Sequence, residues 1–314
     1  MSAGPEAGPP VAILLGVYNG GAALPEQLDS IAAQDHGNWM ILASDDGSAD
    51  NSRYALDAFA ETRPLVRLEG PGQGAAANFM SLVRRMADHA PPGAWLAFCD
   101  QDDIWMPDRL SRGIAALSRG DPAQPALFCS RTWITDAAMT RRRLSRPRPR
   151  PPGFRNALVQ NIAAGNTILV NPAGTALLQA AAARTDRVVV HDWWTYQVIT
   201  GAGGRVAHDD EPTLFYRQHH VNQIGANDTT RAVIKRMWQL LRGDFRAWNT
   251  VNIAALRAAG DLLTPETREM VETFATLRDA SLRARLSALT TLGLYRQSVP
   301  ATLSLWLSAI LRKL

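Results

Sequence analysis

The sequence contains little cysteine and no long apolar run. Only two of its 314 residues are cysteines, Cys99 and Cys129, and both stand beside apolar residues typical of strands. A disulfide framework is therefore not expected, and we place the chain in the reducing cytoplasm. No run approaches the roughly 18 apolar residues of a membrane-spanning helix. The opening MSAGPEAGPP lacks the basic and apolar segments of a signal peptide, and we predict a disordered leader over 1–10.

The composition is that of a globular protein with unevenly distributed charge. Hydrophobic residues make up 46% and charged residues 20% of the chain, and the formal net charge is +4. Six arginines lie within 141–150, interrupted by prolines, so this segment should stay extended. It could be a lid over an anionic donor, a contact to a pyrophosphate-linked lipid or a plain solvated loop. Nucleic acid is not expected as a partner, because the segment lacks interleaved aromatic residues.

Strand-like and helix-like segments alternate along the first half of the chain. Four apolar runs, of which VAILLGV (11–17) is the first, each precede a segment with apolar residues at helical spacing. This alternation predicts an α/β fold with a mostly parallel sheet, in which ligands bind at the carboxyl ends of the strands. From residue 229 onward the pattern is wholly helical. We therefore predict an α/β domain over 11–228 and a helical region over 229–314.

Three aspartates, Asp100, Asp102 and Asp103, follow the fourth apolar run, WLAFC. Carboxylates this close repel one another, and burying them without a partner is costly. A divalent cation removes that cost, and oxygen ligands favour Mg²⁺ or Mn²⁺ with a shell completed by phosphate oxygens. Asp100 and Asp102, in a D-x-D arrangement, could then reach a ribose hydroxyl and a metal ion. An exposed acidic turn is the alternative.

Two other strand ends carry groups that could bind a nucleotide base. Asp45 and Asp46 end the second apolar run, and a carboxylate there can accept a hydrogen bond from the ring N–H of uracil or thymine. A helix-capping turn in DDGSAD is the alternative. The first run ends with Val17, Tyr18 and Asn19, whose backbone and aromatic groups could hold a base. The alternative is that these residues are only the end of a strand leading into a loop.

The order and spacing of these segments resemble those of family 2 glycosyltransferases. The segments are LLGVYNG, LPEQLDSIAAQ, ILASDDGSADNS, NFMSLV and FCDQDDIWMPDRL, and the resemblance covers about 11–228. It implies the GT-A fold, a Rossmann-like α/β domain that binds a nucleotide-diphosphate sugar. The residues in the segments EQLDSI, SDDGS and FCDQDDIW are most similar to those of rhamnosyltransferases of surface-polysaccharide synthesis. It implies dTDP-rhamnose as the donor, with UDP-sugars and other dTDP-sugars as alternatives.

The resemblance also implies roles for individual residues. Asp46, with Asp45 beside it, should contact the base, and Asp100 should contact the sugar nucleotide. Asp102 should be the metal ligand, and His219 is a second candidate. The remaining donor-binding candidates are Val17, Tyr18, Asn19, Gln101 and Arg217. The acceptor or sugar candidates are Gly165, Asn166, Thr167, Trp193 and Trp194, for which a plain loop and core positions are the alternatives.

Asp192, in VVVHDWWTYQV, matches the position of the general base in inverting members of the family. An acceptor hydroxyl has a high pKa, so a base must take its proton as the oxygen attacks the anomeric carbon. Attack opposite the leaving diphosphate is a single displacement with inversion, through a transition state of oxocarbenium character. A helix N-cap is the alternative for Asp192, and the role of His191 stays open.

Amphipathic, arginine-bearing segments follow residue 229. One of them mixes Trp238, Leu241, Phe245 and Trp248 with basic residues, and another is VPATLSLWLSAILRKL (299–314). Basic amphipathic helices can lie in a membrane interface. We therefore predict peripheral contact with the inner face of the plasma membrane, with packing on the catalytic domain or on a second subunit as the alternative.

Taken together, the residues predict a metal-dependent, inverting glycosyltransferase that acts on a glycan or a lipid-linked glycan. A sugar-1-phosphate nucleotidyltransferase also has an acidic nucleotide site, but it needs a glycine-rich signature followed by Arg and Lys, which GVYNGGAALPEQ lacks. A non-catalytic glycan-assembly subunit is the other alternative. Such a subunit would not need carboxylates at all four of the positions Asp46, Asp100, Asp102 and Asp192.

Overall fold

The computed structural model of the chain describes residues 8–218 and 244–314. His219, the boundary near residue 228, and Trp238 and Leu241 of the tail lie outside the described residues. The end of the predicted leader is held in place, because Trp95 N donates to Pro10 O at 2.8 Å and His36 Nε2 lies 2.9 Å from Pro9 O. The predicted disorder therefore does not extend to residues 8–10.

The described strands form one sheet in the order β3-β2-β1-β4-β8-β6-β9-β5, with β7 beside β6. The first four neighbours in this order are parallel. The short β8 is antiparallel to both β4 and β6, so β6 runs in the same direction as β4. The strands are β1 (Val11–Val17), β2 (Trp39–Asp45), β3 (Leu65–Glu69), β4 (Trp95–Cys99), β5 (Ile104–Trp105), β6 (Ala126–Thr135), β7 (Arg142–Leu144), β8 (Leu169–Val170) and β9 (Arg205–Arg217).

Helices cover both faces of this sheet, which confirms the predicted α/β fold. The helices are α1 (Ala23–Ala32), α2 (Ser52–Ala60), α3 (Ala75–Arg85), α4 (Arg109–Leu117), α5 (Phe154–Ala157), α6 (Pro172–Ala182), α7 (His191–Gly201), α8 (Asp244–Ala259), α9 (Pro265–Leu277), α10 (Leu282–Leu292) and α11 (Val299–Ile310). In β1 the side chains alternate between the two layers, because successive residues of a strand point to opposite faces. Leu14 packs with α3, α6 and α7, and Leu15 packs with α1, α2 and α4.

The described part of the tail, residues 244–314, is helical and packs on the α3, α6 and α7 side of the sheet. Leu256, Phe274 and Leu305 belong to the same buried cluster as Phe98 of β4. Phe245, which the sequence placed on an interfacial helix, is buried in that cluster too. Packing on the catalytic domain therefore accounts for most of the apolar residues of the described tail.

Two segments differ from their sequence-based predictions. The arginine-rich segment is extended as expected, but Arg142–Leu144 pairs with β6 as a strand and is not a free loop. The segment Gly165–Thr167, for which a plain loop was the alternative, forms a 3₁₀ turn in which Thr167 Oγ1 donates to Ala164 O at 2.7 Å. In the parts of the chain that the structure describes, no helix has the length and apolar character needed to cross a membrane.

Candidate active site

Three parallel strands deliver their polar residues to one edge of the sheet. Val17, at the end of β1, pairs with Asp45 of β2, and Leu15 of β1 pairs with Cys99 of β4. Gln101 then ties β1 to β4, because its side-chain amide accepts from Tyr18 N at 2.8 Å and donates to Tyr18 O at 3.0 Å. The tyrosine ring is left 58% exposed at the rim of this edge.

The segments that follow β1 and β2 are joined by hydrogen bonds. Asn19 adopts a left-handed backbone conformation with φ of 50°. Its backbone N–H donates to Ser48 Oγ at 2.8 Å, and its side-chain oxygen accepts from Ala49 N at 2.9 Å. The carboxylate of Asp50 accepts from Ser52 N, the first residue of α2. This bond agrees with the alternative interpretation of DDGSAD as a helix-capping turn. The predicted base-binding edge is therefore a rigid, cross-linked pair of turns.

Both aspartates at the end of β2 already hold backbone groups. Asp45 accepts from Ser48 N at 3.0 Å and pairs with Arg53. Burial acts to raise the pKa of Asp45, but these hydrogen bonds outweigh it and the pKa is lowered. Asp46 accepts from Gly72 N and from Gly74 N, each at 2.7 Å. Asp46 thus fixes the glycine-rich turn before α3, and each of its oxygens keeps a further lone pair for a ligand.

The acidic turn after β4 is not a simple exposed turn. Asp103 is fully buried, where it accepts from Asn166 Nδ2 at 2.6 Å and from Arg217 N at 3.3 Å. Burial, followed by the charges of Asp100 and Asp102, holds the pKa of Asp103 well above its usual range. Asp103 therefore connects the acidic turn to the 3₁₀ turn and to the end of β9.

Asp192 lies in the first turn of α7, at the same edge. Its carboxylate accepts from Trp193 N at 2.6 Å and from Gly165 N at 3.1 Å. Burial raises its pKa to about 6, against the opposing effect of these hydrogen bonds. Burial, then the charges of Asp102 and Asp192, raises the pKa of Asp100 to about 7. Asp100, Asp102 and Asp192 therefore lie within electrostatic reach of one another.

The 3₁₀ turn joins these carboxylates to a residue that sequence reasoning missed. Arg109, fully buried at the start of α4, donates to Asn166 O at 2.7 Å and to Ile168 O at 3.2 Å. Its guanidinium stacks on Trp105 at 3.6 Å from the ring centre. The available signal was a single arginine six residues after Asp103, and nothing in the sequence marked it as buried.

The structure places the two predicted acceptor tryptophans in the core. Trp193 donates through Nε1 to Ala157 O at 2.6 Å, and both Trp193 and Trp194 are buried. Their burial agrees with the core alternative, and their role as acceptor residues stays a prediction. His191 is buried as well, stacked on Phe79 at 3.9 Å between ring centres, and burial lowers its pKa to about 3. His191 is therefore a neutral packing residue beside Asp192.

Arg217 reaches the site from the end of β9, as its position in the sequence suggested. Its backbone amide contacts Asp103, and its side chain pairs with Glu26 of α1. The second candidate metal ligand, His219, lies outside the described residues, so its position relative to Asp102 stays a prediction.

The carboxylates of the acidic turn after β4 are oxygen donors of the kind that divalent cations prefer. Within 8–218 and 244–314, no group of three or more His, Cys, Asp or Glu side chains is arranged to hold a metal ion. Asp100 and Asp102 nevertheless offer hard oxygen donors, and the charge of Asp102 raises the pKa of Asp100. A cation with phosphate oxygens and water in its remaining positions fits such a pair.

Comparisons with known proteins agree with this architecture. The chain is 27% identical over 232 residues to the dTDP-rhamnosyl transferase RfbG of Shigella flexneri, covering 71% of this chain and 78% of that protein. The structure of TarS from S. aureus in complex with UDP-GlcNAc is similar with a TM-score of 0.53 at 12% identity, over 88% of this chain and 82% of that one. The mannosyltransferase PcManGT from Pyrobaculum calidifontis, solved with GDP-Man and Mn²⁺, has a TM-score of 0.51 at 19% identity, over 97% and 86% of the two chains.

These likenesses show the GT-A glycosyltransferase fold that the sequence predicted. The family model for glycosyl transferase family 2 matches residues 12–182, which is more than half of the chain and includes β1, β2, β4 and the 3₁₀ turn. The chain therefore belongs to glycosyl transferase family 2, and it is a glycosyltransferase.

Proposed function

We propose that this enzyme transfers a sugar from a nucleotide-diphosphate donor to a glycan hydroxyl with inversion at the anomeric carbon. The observation that carries the proposal is the meeting of Asp192 with the acidic turn at the carboxyl edge of the sheet. A base with a raised pKa stands there within electrostatic reach of the carboxylates assigned to the donor. A single displacement requires such a base, placed opposite the leaving group across the anomeric carbon.

The donor is assigned to the ends of β1, β2 and β4. The exposed ring of Tyr18 is available to stack on a base, and Asp46 is available to accept from the base N–H. Asp100 is assigned to the ribose or the sugar. The best candidate is dTDP-rhamnose, because RfbG, similar over most of this chain, is named a dTDP-rhamnosyl transferase, and UDP-sugars are the alternative.

Asp102, with Asp100 beside it, would hold Mg²⁺ or Mn²⁺. The cation would neutralise negative charge on the leaving diphosphate. The side chain of Arg217, at the end of β9, is assigned to the diphosphate on the same side of the site. His219 is proposed as an additional ligand from the segment that follows.

Asp192 is proposed to take the proton of the acceptor hydroxyl. Its pKa of about 6 leaves it ionised at neutral pH, yet makes it a stronger base than an ordinary aspartate. The hydrogen bonds from the amides of Trp193 and Gly165, with one from the side chain of Asn161, fix the carboxylate in place. The turn Gly165–Thr167 is the proposed acceptor-side wall, because it directly contacts both Asp192 and Asp103.

The donor assignment is tested by calorimetric titration with dTDP, UDP and GDP, each with and without Mn²⁺. We expect one nucleotide to bind in a metal-dependent manner, and Asp102→Asn to abolish that binding. The matched control is Asp108→Asn, which removes a carboxylate that is half exposed and six residues further along the chain. Absence of binding by all three nucleotides, or equal binding by Asp102→Asn, would contradict the donor assignment.

The transfer itself is tested with the nucleotide that binds. Incubation with the matching nucleotide sugar and an acceptor glycan should release the nucleoside diphosphate. The anomeric configuration of the product, read by NMR, should be opposite to that of the donor. Retention would exclude the single displacement and the role of Asp192 as the base.

A further inference from the structure

The last helix exposes a continuous apolar stripe. Val299, Leu303, Leu307 and Ile310 are 73%, 63%, 37% and 48% exposed, and their spacing places them on one face of α11. The opposite face, with Leu305, Ser308 and Ala309, is buried in the core. Among residues 8–218 and 244–314, packing therefore covers only one side of the helix.

A groove of about 380 Å³ runs beside the first half of this stripe. It is formed where the arginine-rich segment meets the start of α11, and its lining includes Arg150, Thr302, Leu303 and Trp306. The two segments are firmly joined, because Arg150 N donates to Gln297 Oε1 at 2.9 Å and Gln297 Nε2 donates to Arg150 O at 3.1 Å. The apolar stripe and the basic segment therefore form one surface.

This surface is built from two segments that contain no acidic residue. Residues 137–160 contain seven arginines and no Asp or Glu, and residues 280–314 contain five Arg or Lys and no Asp or Glu. Arg312 and Lys313 directly follow the stripe. The border of this apolar face is mainly cationic, with Asp279 near Arg312 as an acidic exception. Such a border favours an anionic, apolar partner over another copy of the same face, since two copies would bring like charges together.

We propose that this stripe, with its basic border, docks on the surface of a bilayer that contains anionic lipids. Apolar side chains of a helix lying in the interface enter the boundary between headgroups and acyl chains, and nearby cations add electrostatic attraction. With 12 residues, α11 is suited to lie on a bilayer and is too short to cross one. The docking surface is thus α11 and the 146–150 segment, while Phe245 of α8 is occupied in the core.

The docking surface is structurally close to the proposed base. Gln297 N, just before α11, donates to Gln160 Oε1 at 2.8 Å. The side chain of the next residue, Asn161, is hydrogen-bonded to Asp192. Where the acceptor is a lipid-linked glycan, an option that rests on the proposed function, docking here would hold the base near the membrane. Binding to the bilayer itself does not depend on the donor or the acceptor.

Vesicle co-sedimentation of the full chain tests the proposal without any sugar transfer. The vesicles are phosphatidylcholine alone and phosphatidylcholine with about one third phosphatidylglycerol, at low and high salt. We expect binding to the anionic vesicles only, weakened by salt. Leu303→Gln with Leu307→Gln should weaken partitioning about tenfold or more. Arg312→Gln with Lys313→Gln should weaken it by about fivefold for each cation removed.

The matched control is Tyr54→Gln, which removes a side chain of α2 that is even more exposed, at 77%, and lies in the other helical layer. This variant should bind vesicles like the parent, and all variants should keep the same thermal unfolding temperature because none of the replaced side chains is fully buried. Failure of the parent to bind anionic vesicles would overturn the proposal, as would equal binding by the Leu303 and Leu307 variant. A concentration-dependent dimer without vesicles, abolished by the same variant, would identify a second copy as the occupant and overturn it too.

Discussion

At Asp192 two opposing effects act on one carboxylate. Burial favours the neutral acid, whereas the amides of Trp193 and Gly165 and the side chain of Asn161 favour the anion. The balance is a pKa of about 6, compared with the ordinary value of 3.8. The first turn of a helix adds fixed partial positive charge from its free N–H groups, which keeps such a base ionised at neutral pH.

The pH dependence of the reaction should report this balance. Because only the ionised carboxylate can accept a proton, kcat should fall as the pH decreases through about 6. Asp192→Asn should reduce kcat by about 10²- to 10⁴-fold, the usual contribution of a general base, and its residual activity should lack this acidic limb. The measurement is the pH profile of kcat for both proteins between pH 5 and 9. An unchanged limb in Asp192→Asn would assign it to another group, such as Asp100.

The same substitution should not destabilise the fold at neutral pH. The folded state binds a proton on Asp192 more tightly than the unfolded state does, so between pH 3.8 and about 6 the unfolding free energy falls as the pH rises. Above pH 6 the anion carries the full cost of its burial, on the order of 3 kcal/mol, which Asn does not have. We expect urea unfolding at pH 8 to show Asp192→Asn equal to the parent or more stable.

Asp186→Asn is the control for that experiment, because Asp186 is exposed just before α7. It should change neither kcat nor the unfolding free energy. A marked loss of stability in Asp192→Asn at pH 8 would show that the carboxylate is mainly a structural acceptor for Gly165 N, and it would weaken its assignment as the base.

At the scale of elements, Arg109 connects three parts of the fold. It begins α4, donates to Phe98 O of β4 at 3.3 Å, and holds the 3₁₀ turn through Asn166 O. Burial lowers its pKa to about 10, so it is still a cation at neutral pH. The hydrogen bonds that Arg109 donates orient the turn that contacts Asp192.

Replacing Arg109 should therefore be costly. Arg109→Met keeps much of the volume but removes the donor to three buried carbonyl oxygens, in β4 and around the 3₁₀ turn, and we expect a loss of about 3–5 kcal/mol in unfolding free energy. Arg112→Met, three residues later in the same helix, removes a partly exposed pair with Asp209 and should cost less than about 1 kcal/mol. Urea unfolding of both variants is the measurement, and equal losses would contradict the role assigned to Arg109.

The contrast between Arg109 and Asp192 shows what the sequence could predict. Asp100 and Asp102 were recognisable because they follow a buried strand directly, and parallel strands bring such ends together. The partners of Asp103 could not be recognised from the sequence. Asn166 and Arg217 belong to distant elements, and only tertiary packing places them beside Asp103. The burial of Trp193 and Trp194 was equally hidden, because α7 is apolar or buried around most of its circumference and presents no distinct face.

At the scale of the whole molecule, the tail and the sheet share one core. The sequence predicted the tail as a helical region, but an amphipathic pattern defines an apolar face without defining its partner. The structure places Phe274 of α9 in one cluster with Phe98 of β4 and Trp194 of α7. Thr264 N, before α9, also donates to Gly201 O at the end of α7 at 3.0 Å. Elements that share a continuous core are expected to unfold together.

Phe274→Ala should therefore destabilise the nucleotide site as well as the tail. Removing a fully buried phenylalanine costs about 3–5 kcal/mol, and we expect that loss in a single urea transition. Circular dichroism and the loss of bound nucleotide should report coincident transitions in the parent and in the variant. Leu303→Ala, an exposed apolar residue of α11, should change the unfolding free energy by less than about 0.5 kcal/mol. Two separate transitions, with Phe274→Ala moving only the one that nucleotide binding does not report, would show that the tail folds as an independent unit.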